Sequence, residues 1–223
     1  MTRTCLKNRV LPTYTKGEEI FNSVTHIVGG GWGVITLAMC ILVSVFKGNS
    51  LSLACGIVFG VSMIALYSVS SIYHALPCGT AKKVFQVLDH CTIYLLIAGT
   101  YTPMLLCGLM RTDPIAAWGT FIAVWGLAIL SVTLNAIDLK KYKVFSMIGY
   151  VGMGWAIIFN IGSMYHALGS NGFALLLGGG IFYTVGIIFY KIGSTKKYYH
   201  SVFHIFVLLG SILQSLSVIF YTL

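Results

Sequence analysis

The chain has 223 residues, of which 57% are apolar and only 9% are charged, and its formal net charge is +9. An ordinary soluble domain is about one-quarter charged, so this chain has too few charged side chains to cover a water-exposed surface. The composition excludes a cytosolic globular enzyme, a disordered segment and a disulfide-rich secreted domain. It favours a protein that crosses a membrane several times.

Seven apolar stretches are long enough to cross a bilayer, because a transmembrane helix needs about 20 apolar residues. They are also too long and too continuously apolar to be the short alternating strands of a membrane barrel. We therefore predict an all-α polytopic membrane protein, with a leader at 1–20 and a seven-transmembrane helix bundle at 21–223. The predicted helices cover residues 21–46, 51–76, 84–109, 114–136, 144–167, 173–192 and 201–223.

The positive charge falls mainly on one side of this predicted bundle. Of the 14 lysines and arginines, all but Lys47 and Arg111 lie in the leader or in loops on the same side as the leader. Positively charged loops stay in the cytoplasm, so we predict a cytoplasmic N-terminus and, after seven crossings, an external C-terminus. This asymmetry accounts for the net charge, and we predict no nucleic-acid partner.

Histidines cluster on the cytoplasmic side of the predicted bundle. Five of the six lie near cytoplasmic helix ends, and the topology that places them there was derived without using histidine. The five are His26, His74, His90, His200 and His204. The convergence of so many imidazoles at one depth favours a shared site.

The spacing of these residues predicts a metal site. His200 and His204 are four residues apart and therefore share one helical face, in an H-x-x-x-H pattern that can bind one metal ion. His74 ends the second helix, and a short loop brings it close to the start of the third helix, which carries Asp89. Three histidines and one water would make the open tetrahedral site of a catalytic zinc.

Two further residues are candidates for catalysis. Asp89 is the only acidic residue well inside a predicted helix, and a carboxylate there would hold the attacking water or take its proton. Ser70, one turn before His74, would support the site or donate a hydrogen bond to a substrate oxyanion. Simpler interpretations stay open: interfacial histidines, a proton relay or interhelical hydrogen bond at Asp89, and a small packing residue at Ser70.

A set of short motifs is specific in combination, although none is specific alone. They are Glu19-x-x-Asn22-x-x-Thr25-His26, Ser70-x-x-x-His74, Asp89, Ala98-Gly99-Thr100-Tyr101-Thr102-Pro103 and His200-x-x-x-His204. From about Glu19 to the end of the seventh helix, the chain resembles the haemolysin III family of bacterial membrane proteins, within the progestin and adipoQ receptor superfamily. One departure is Gln214, at a position in the seventh helix where relatives are expected to carry histidine.

This resemblance implies seven helices, an intracellular N-terminus and zinc held by His74, His200 and His204, with Asp89 contacting the metal-bound water. It also implies kinship with alkaline ceramidases. We therefore expect a multi-pass protein of the bacterial plasma membrane that hydrolyses a lipid amide or regulates the state of membrane lipids, with a membrane lipid as substrate or ligand. Two alternatives stay open: a non-enzymatic receptor or lipid sensor with structural zinc, and an oligomeric pore-forming cytolysin. The sequence identifies no protein partner.

Overall fold

The structure, a computed structural model, describes residue 4 and residues 6–223 of the chain. The regular secondary structure of these residues is entirely helical, which confirms the predicted all-α class. The α-helices are α1 (Lys16–Phe46), α2 (Ser50–Ala75), α3 (Thr80–Pro103), α4 (Pro114–Asp138), α5 (Lys143–Gly154), α6 (Ile161–Ile192) and α7 (Tyr199–Ser217).

Short segments of other helical types extend or join these helices. A 3₁₀ turn precedes α1, another joins α5 to α6, and π-helical turns continue α3 and α7. They are Leu6–Asn8, Ala156–Asn160, Met104–Gly108 and Val218–Thr222, with a further 3₁₀ turn at Leu109–Arg111. The π turn after α3 begins directly after Pro103, whose ring nitrogen carries no hydrogen to donate to the helical ladder.

Six helical segments of the described chain are long and apolar enough to cross a membrane, where the sequence predicted seven. They are Lys16–Phe46, Ser50–Ala75, Thr80–Arg111, Pro114–Asp138, Lys143–Ile192 and Tyr199–Thr222. The difference lies in the fifth segment, which contains both the predicted 144–167 and 173–192 helices in 50 residues. No extended loop separates the two, so helical structure continues almost without interruption.

The fifth segment nevertheless reverses its direction. Gly169 has φ 66° and ψ 175°, which is not a helical conformation. Two residues that flank Gly169 in the sequence are in contact: the Trp155 indole N–H donates a hydrogen bond of 3.0 Å to the Thr184 hydroxyl. In a straight helix these two residues would be about 43 Å apart, at 1.5 Å per residue. The chain therefore folds back near Gly169, and its two halves lie side by side.

The backbone at Gly169 predicts a specific sensitivity to substitution. Positive φ with ψ near 180° is a region essentially restricted to glycine, so Gly169→Ala is expected to destabilise the protein by about 1–3 kcal/mol. The measurement is thermal unfolding in detergent. Gly152→Ala is the control, because a Cβ there meets nothing within 4 Å and alanine favours a helix interior. Equal stability of the two variants would contradict the described turn.

Helix α1 begins at Lys16, five residues before the predicted membrane domain. Thr15 and Glu18 form a capping box: the Glu18 N–H donates to the Thr15 hydroxyl, and the Thr15 N–H donates to the Glu18 carboxylate at 2.8 Å. Such a box satisfies backbone donors at a helix start. Consequently Glu19 and Asn22 lie within the first two turns of α1, where they face the neighbouring helices.

The segment that contains α3 lies at the centre of the bundle: 78% of an apolar 18-residue stretch within Thr80–Arg111 is buried, against 22% of such a stretch in α4. Close approach between α1 and α2 depends on small residues, since a side chain at Gly29 would collide with the ring of Tyr67. Large apolar side chains such as Val24, Ile35 and Ile129 are exposed on the outside of the bundle. This arrangement, with apolar residues facing outward, is that of an integral membrane protein.

Candidate functional site

Three histidines meet at one end of the bundle. His74 lies in the last turn of α2, and His200 and His204 lie in the first two turns of α7. All three are buried, with 2%, 8% and 2% of their surfaces exposed. One ring nitrogen from each lies within 4.8 Å of the others, and the His200 and His204 Nε2 atoms are 3.0 Å apart. The structure thus brings together the three residues that the sequence had grouped.

A carboxylate from α1 orients the His74 ring. Glu19 Oε2 lies 2.7 Å from His74 Nδ1, and Glu19 Oε1 accepts a bond of 2.8 Å from the Lys82 ammonium group. His74 Nε2 is buried and has no hydrogen-bond partner among the described residues. A carboxylate at Nδ1 fixes the proton there and leaves the Nε2 lone pair available. This is the arrangement expected of a metal-ligating histidine.

Polar side chains also join α1 to α7. The Ser201 hydroxyl donates a hydrogen bond of 2.6 Å to Asn22 Oδ1, and Asn22 Nδ2 lies 3.5 Å from His74 Nδ1. At the start of α7, the Tyr198 N–H donates a bond of 2.7 Å to Glu18 Oε1. Tyr198 has φ 62°, so this bond fixes a left-handed residue from which α7 begins. The first turns of α1 therefore determine where His200 and His204 lie.

Aromatic rings cover the histidine group. Tyr14, which precedes α1, stacks on His200 with centroids 4.9 Å apart, and His26 packs on His204 at 3.9 Å. Burial raises the pKa of the Tyr14 phenol above its usual value, with smaller contributions from the carboxylates of Glu19 and Asp89. The phenol therefore stays neutral, and the residues before α1 close one side of the site.

The histidine group borders a cavity of about 630 Å³. Among its lining residues are His200, His204, Asp89 and Ser70. Ser70 is 2% exposed, and Asp89 is partly buried on α3. Within the described chain, Asp89 does not belong to the group of ligand atoms that the three histidines form. The predicted catalytic pair thus lines the same cavity as His200 and His204.

Sequence reasoning missed several residues that support the site. Glu19 and Asn22 were recognised only as parts of a motif, and Tyr14, Lys82 and Ser201 were not singled out. A signal was present for the first two, because their i, i+3 spacing places both on one face of a helix. The contacts of the others depend on how separate segments pack, which the local sequence does not reveal.

The fold and the site define the class of protein. It is an all-helical membrane protein with a buried group of three histidines beside an internal cavity. The sequence model of a family described as "Haemolysin-III related" matches residues 14–215. The chain belongs to the haemolysin III family, within the progestin and adipoQ receptor superfamily, as the sequence motifs predicted.

Individual relatives agree with this assignment. The chain is 38% identical to "Hemolysin-3" of Bacillus cereus over 206 residues, which is 92% of each chain. It is 36% identical over 208 residues to "Hemolysin-3 homolog" of Bacillus subtilis (strain 168), covering 93% of this chain and 96% of that protein. A more distant similarity, 27% over 155 residues, links it to human "Monocyte to macrophage differentiation factor", covering 67% and 63% of the two chains.

Proposed function

We propose that this haemolysin III family protein is a zinc-dependent hydrolase of membrane lipid amides, and that His74, His200 and His204 hold the zinc. The observation that carries the proposal is the convergence of three buried imidazole nitrogens within 4.8 Å, beside a cavity that Asp89 and Ser70 also line. Zinc in proteins is commonly held by imidazole nitrogens that converge in this way.

The donor set fits a zinc ion. In a tetrahedral site with Zn–N bonds of 2.0–2.1 Å, two ligand nitrogens are about 3.3 Å apart. The 3.0 Å between His200 Nε2 and His204 Nε2 is within a few tenths of that value. His74 has its Nε2 free and its Nδ1 on Glu19, as ligating histidines usually do. Three protein ligands leave one coordination position open for catalysis.

Zinc with an open position acts as a Lewis acid and makes water nucleophilic near neutral pH. In this proposal, the Asp89 carboxylate takes a proton from the attacking water while the oxygen of that water forms a bond to the amide carbon. The Ser70 hydroxyl donates a hydrogen bond to the developing carbonyl oxyanion. When the C–N bond breaks, Asp89 returns the proton to the leaving amine. The products are a fatty acid and a free amine, so water is the only co-reactant.

We also propose seven membrane crossings, with the N-terminus in the cytoplasm of a bacterial cell and the chain in the plasma membrane. A helix of 50 residues would be about 75 Å long, which is far more than the bilayer core of about 30 Å. The reversal near Gly169 and the bond between Trp155 and Thr184 support two crossings in that segment. Lysine and arginine are concentrated on the N-terminal side, which supports the orientation.

The proposal is tested by turnover. Detergent-purified protein is incubated with a panel of long-chain lipid amides, and the released fatty acid is measured by mass spectrometry alongside zinc content. We expect fatty-acid release that stops when zinc is removed by a chelator and returns when zinc is restored. Protein that retains stoichiometric zinc and cleaves no amide in the panel would contradict the enzymatic proposal and leave a zinc-containing lipid sensor.

Glu19 gives a prediction that concerns the metal alone. Glu19→Gln keeps a side chain of the same size but removes the charge that faces His74 Nδ1, so zinc affinity is expected to fall about 10–100-fold. The measurement is competition with a fluorescent chelator. Asp113→Asn is the matched control, since it also removes one carboxylate charge and Asp113 accepts the Ala116 N–H at the start of α4, a helix that supplies no histidine to the group. A loss of zinc affinity as large in Asp113→Asn would contradict the assigned role of Glu19.

A further inference from the structure

A second group of charged residues, outside the three-histidine group, lines the same cavity. It consists of Arg9, from the segment before α1, together with Lys140 and Lys143, which lie between α4 and α5 and at the start of α5. The histidines come from α2 and α7, so different elements supply the two groups. Nothing in the proposed hydrolysis uses this basic group.

Arg9 is the central observation. Only 9% of its surface is exposed, and its Nε and Nη1 atoms are buried without a hydrogen-bond partner among the described residues. An arginine side chain stays charged in proteins and offers five N–H donors. A buried charge without a partner is costly, so the guanidinium group is positioned for an anion that the chain itself does not supply.

Nearby carboxylates do not neutralise Arg9. Asp138 accepts backbone N–H bonds from Thr4, Lys140 and Lys141, at 2.6, 3.1 and 3.1 Å. In the described part of the chain, no carboxylate oxygen lies within 4.0 Å of the Arg9 guanidinium, and the two ion pairs that are present both involve Glu19. Burial lowers the pKa of Arg9 from its usual value, and the charge of Asp138 only opposes this effect.

The rest of the cavity is suited to an alkyl chain. Beyond the basic group, apolar side chains from α3, α6 and the segment between α5 and α6 line it, among them Leu96, Ile97, Ile157, Phe173 and Leu176. Its volume of about 630 Å³ is in the range of ordinary small-molecule sites. A basic end joined to an apolar interior matches a molecule with an anionic headgroup and a hydrocarbon tail.

We propose that the cavity binds an anionic single-chain lipid, with its phosphate or carboxylate group on Arg9 and Lys143 and its alkyl chain among the apolar residues. Arg9 presents a planar fork of donors, which pairs with either anion through two parallel hydrogen bonds. This site goes beyond the proposed hydrolysis, because its headgroup contacts are basic residues that the reaction does not use. A fatty acid is also the product of that reaction, so the loss of binding in Arg9→Gln, and not dodecanoate binding alone, assigns the anion to this site.

The test is ligand-induced stabilisation in a neutral detergent. Thermal unfolding, followed by tryptophan fluorescence, is measured with dodecyl phosphate, dodecanoate, dodecan-1-ol and inorganic phosphate at matched concentrations, since a ligand that binds only the folded state raises the Tm. We expect dodecyl phosphate, dodecanoate or both to raise the Tm in a saturable way, and the larger shift identifies the headgroup. An equal shift with dodecan-1-ol or with inorganic phosphate would overturn the proposal.

Variants locate the site. Arg9→Gln is expected to weaken binding of the anionic lipid at least tenfold, while its zinc content and its Tm without ligand stay at wild-type values or above. Lys47→Gln, at an exposed position in the loop between α1 and α2, is the control and should bind as the wild type does. Undiminished binding by Arg9→Gln would overturn the proposal. Failure of amide hydrolysis would leave these results unchanged, because none of the ligands contains an amide bond.

Discussion

His200→Ala is expected to remove zinc from the purified protein. The wild type should carry about one zinc per chain, and the variant less than about one-tenth of that after dialysis, because two remaining imidazoles hold zinc far more weakly than three. His74→Ala should give the same result, since its Nε2 completes the group. Zinc is measured by mass spectrometry of the metal in detergent-purified protein.

His166→Ala is the matched control. His166 is exposed near the Gly169 reversal and is not part of the histidine group, so its replacement should leave zinc content unchanged. If wild-type protein carries no stoichiometric zinc, or if His200→Ala keeps it, then the metal site does not exist as proposed. Equal loss in His166→Ala would indicate general unfolding rather than the removal of a ligand.

Asp89→Asn is expected to separate catalysis from metal binding. An amide in place of the carboxylate cannot take a proton from water, so lipid-amide turnover should fall by about 100-fold or more. Zinc content should stay at the wild-type level, since Asp89 lies outside the group of histidine ligand atoms. The measurements are fatty-acid release at saturating substrate and metal content of the same preparation.

The opposite result would favour a different function. If Asp89→Asn keeps both its zinc and its turnover, then Asp89 is not the general base, and the proposed mechanism fails at that step. If no form of the protein hydrolyses lipid amides and the histidine variants only lose stability, then zinc ties α2 to α7 as a structural ion. That outcome corresponds to the receptor-like alternative. Ser70→Ala then provides no information on catalysis and serves as a packing control.

Much of this architecture was predictable because its physical signals are local. Continuous apolar stretches locate the membrane helices, and the i, i+4 spacing of His200 and His204 places both on one helix face. The charge asymmetry of the loops put His74 on the same side as that pair. These three signals together grouped His74 of α2 with the histidine pair of α7. In the structure, one ring nitrogen of each of the three histidines lies within 4.8 Å of the others.

The sequence was less informative about features that depend on packing between distant parts of the chain. Glu19 is 55 residues from His74 along the chain, and its charge suggested a place before the membrane domain rather than within α1. The capping box at Thr15 extends α1 to include it. Similarly, the two apolar stretches around Gly169 suggested a loop, whereas a single glycine with positive φ is enough to interrupt the helix there.

The histidine group is divided between an early and a late part of the chain, and this has a consequence for biosynthesis. Glu19 and His74 belong to α1 and α2 and can pair soon after these helices enter the bilayer, whereas His200 and His204 arrive only with α7. A nascent chain released before α7 emerges would hold an oriented but solitary imidazole. If the group holds zinc as proposed, metal capture is expected to be among the last events of maturation, and it would mark chains whose final helix has docked correctly.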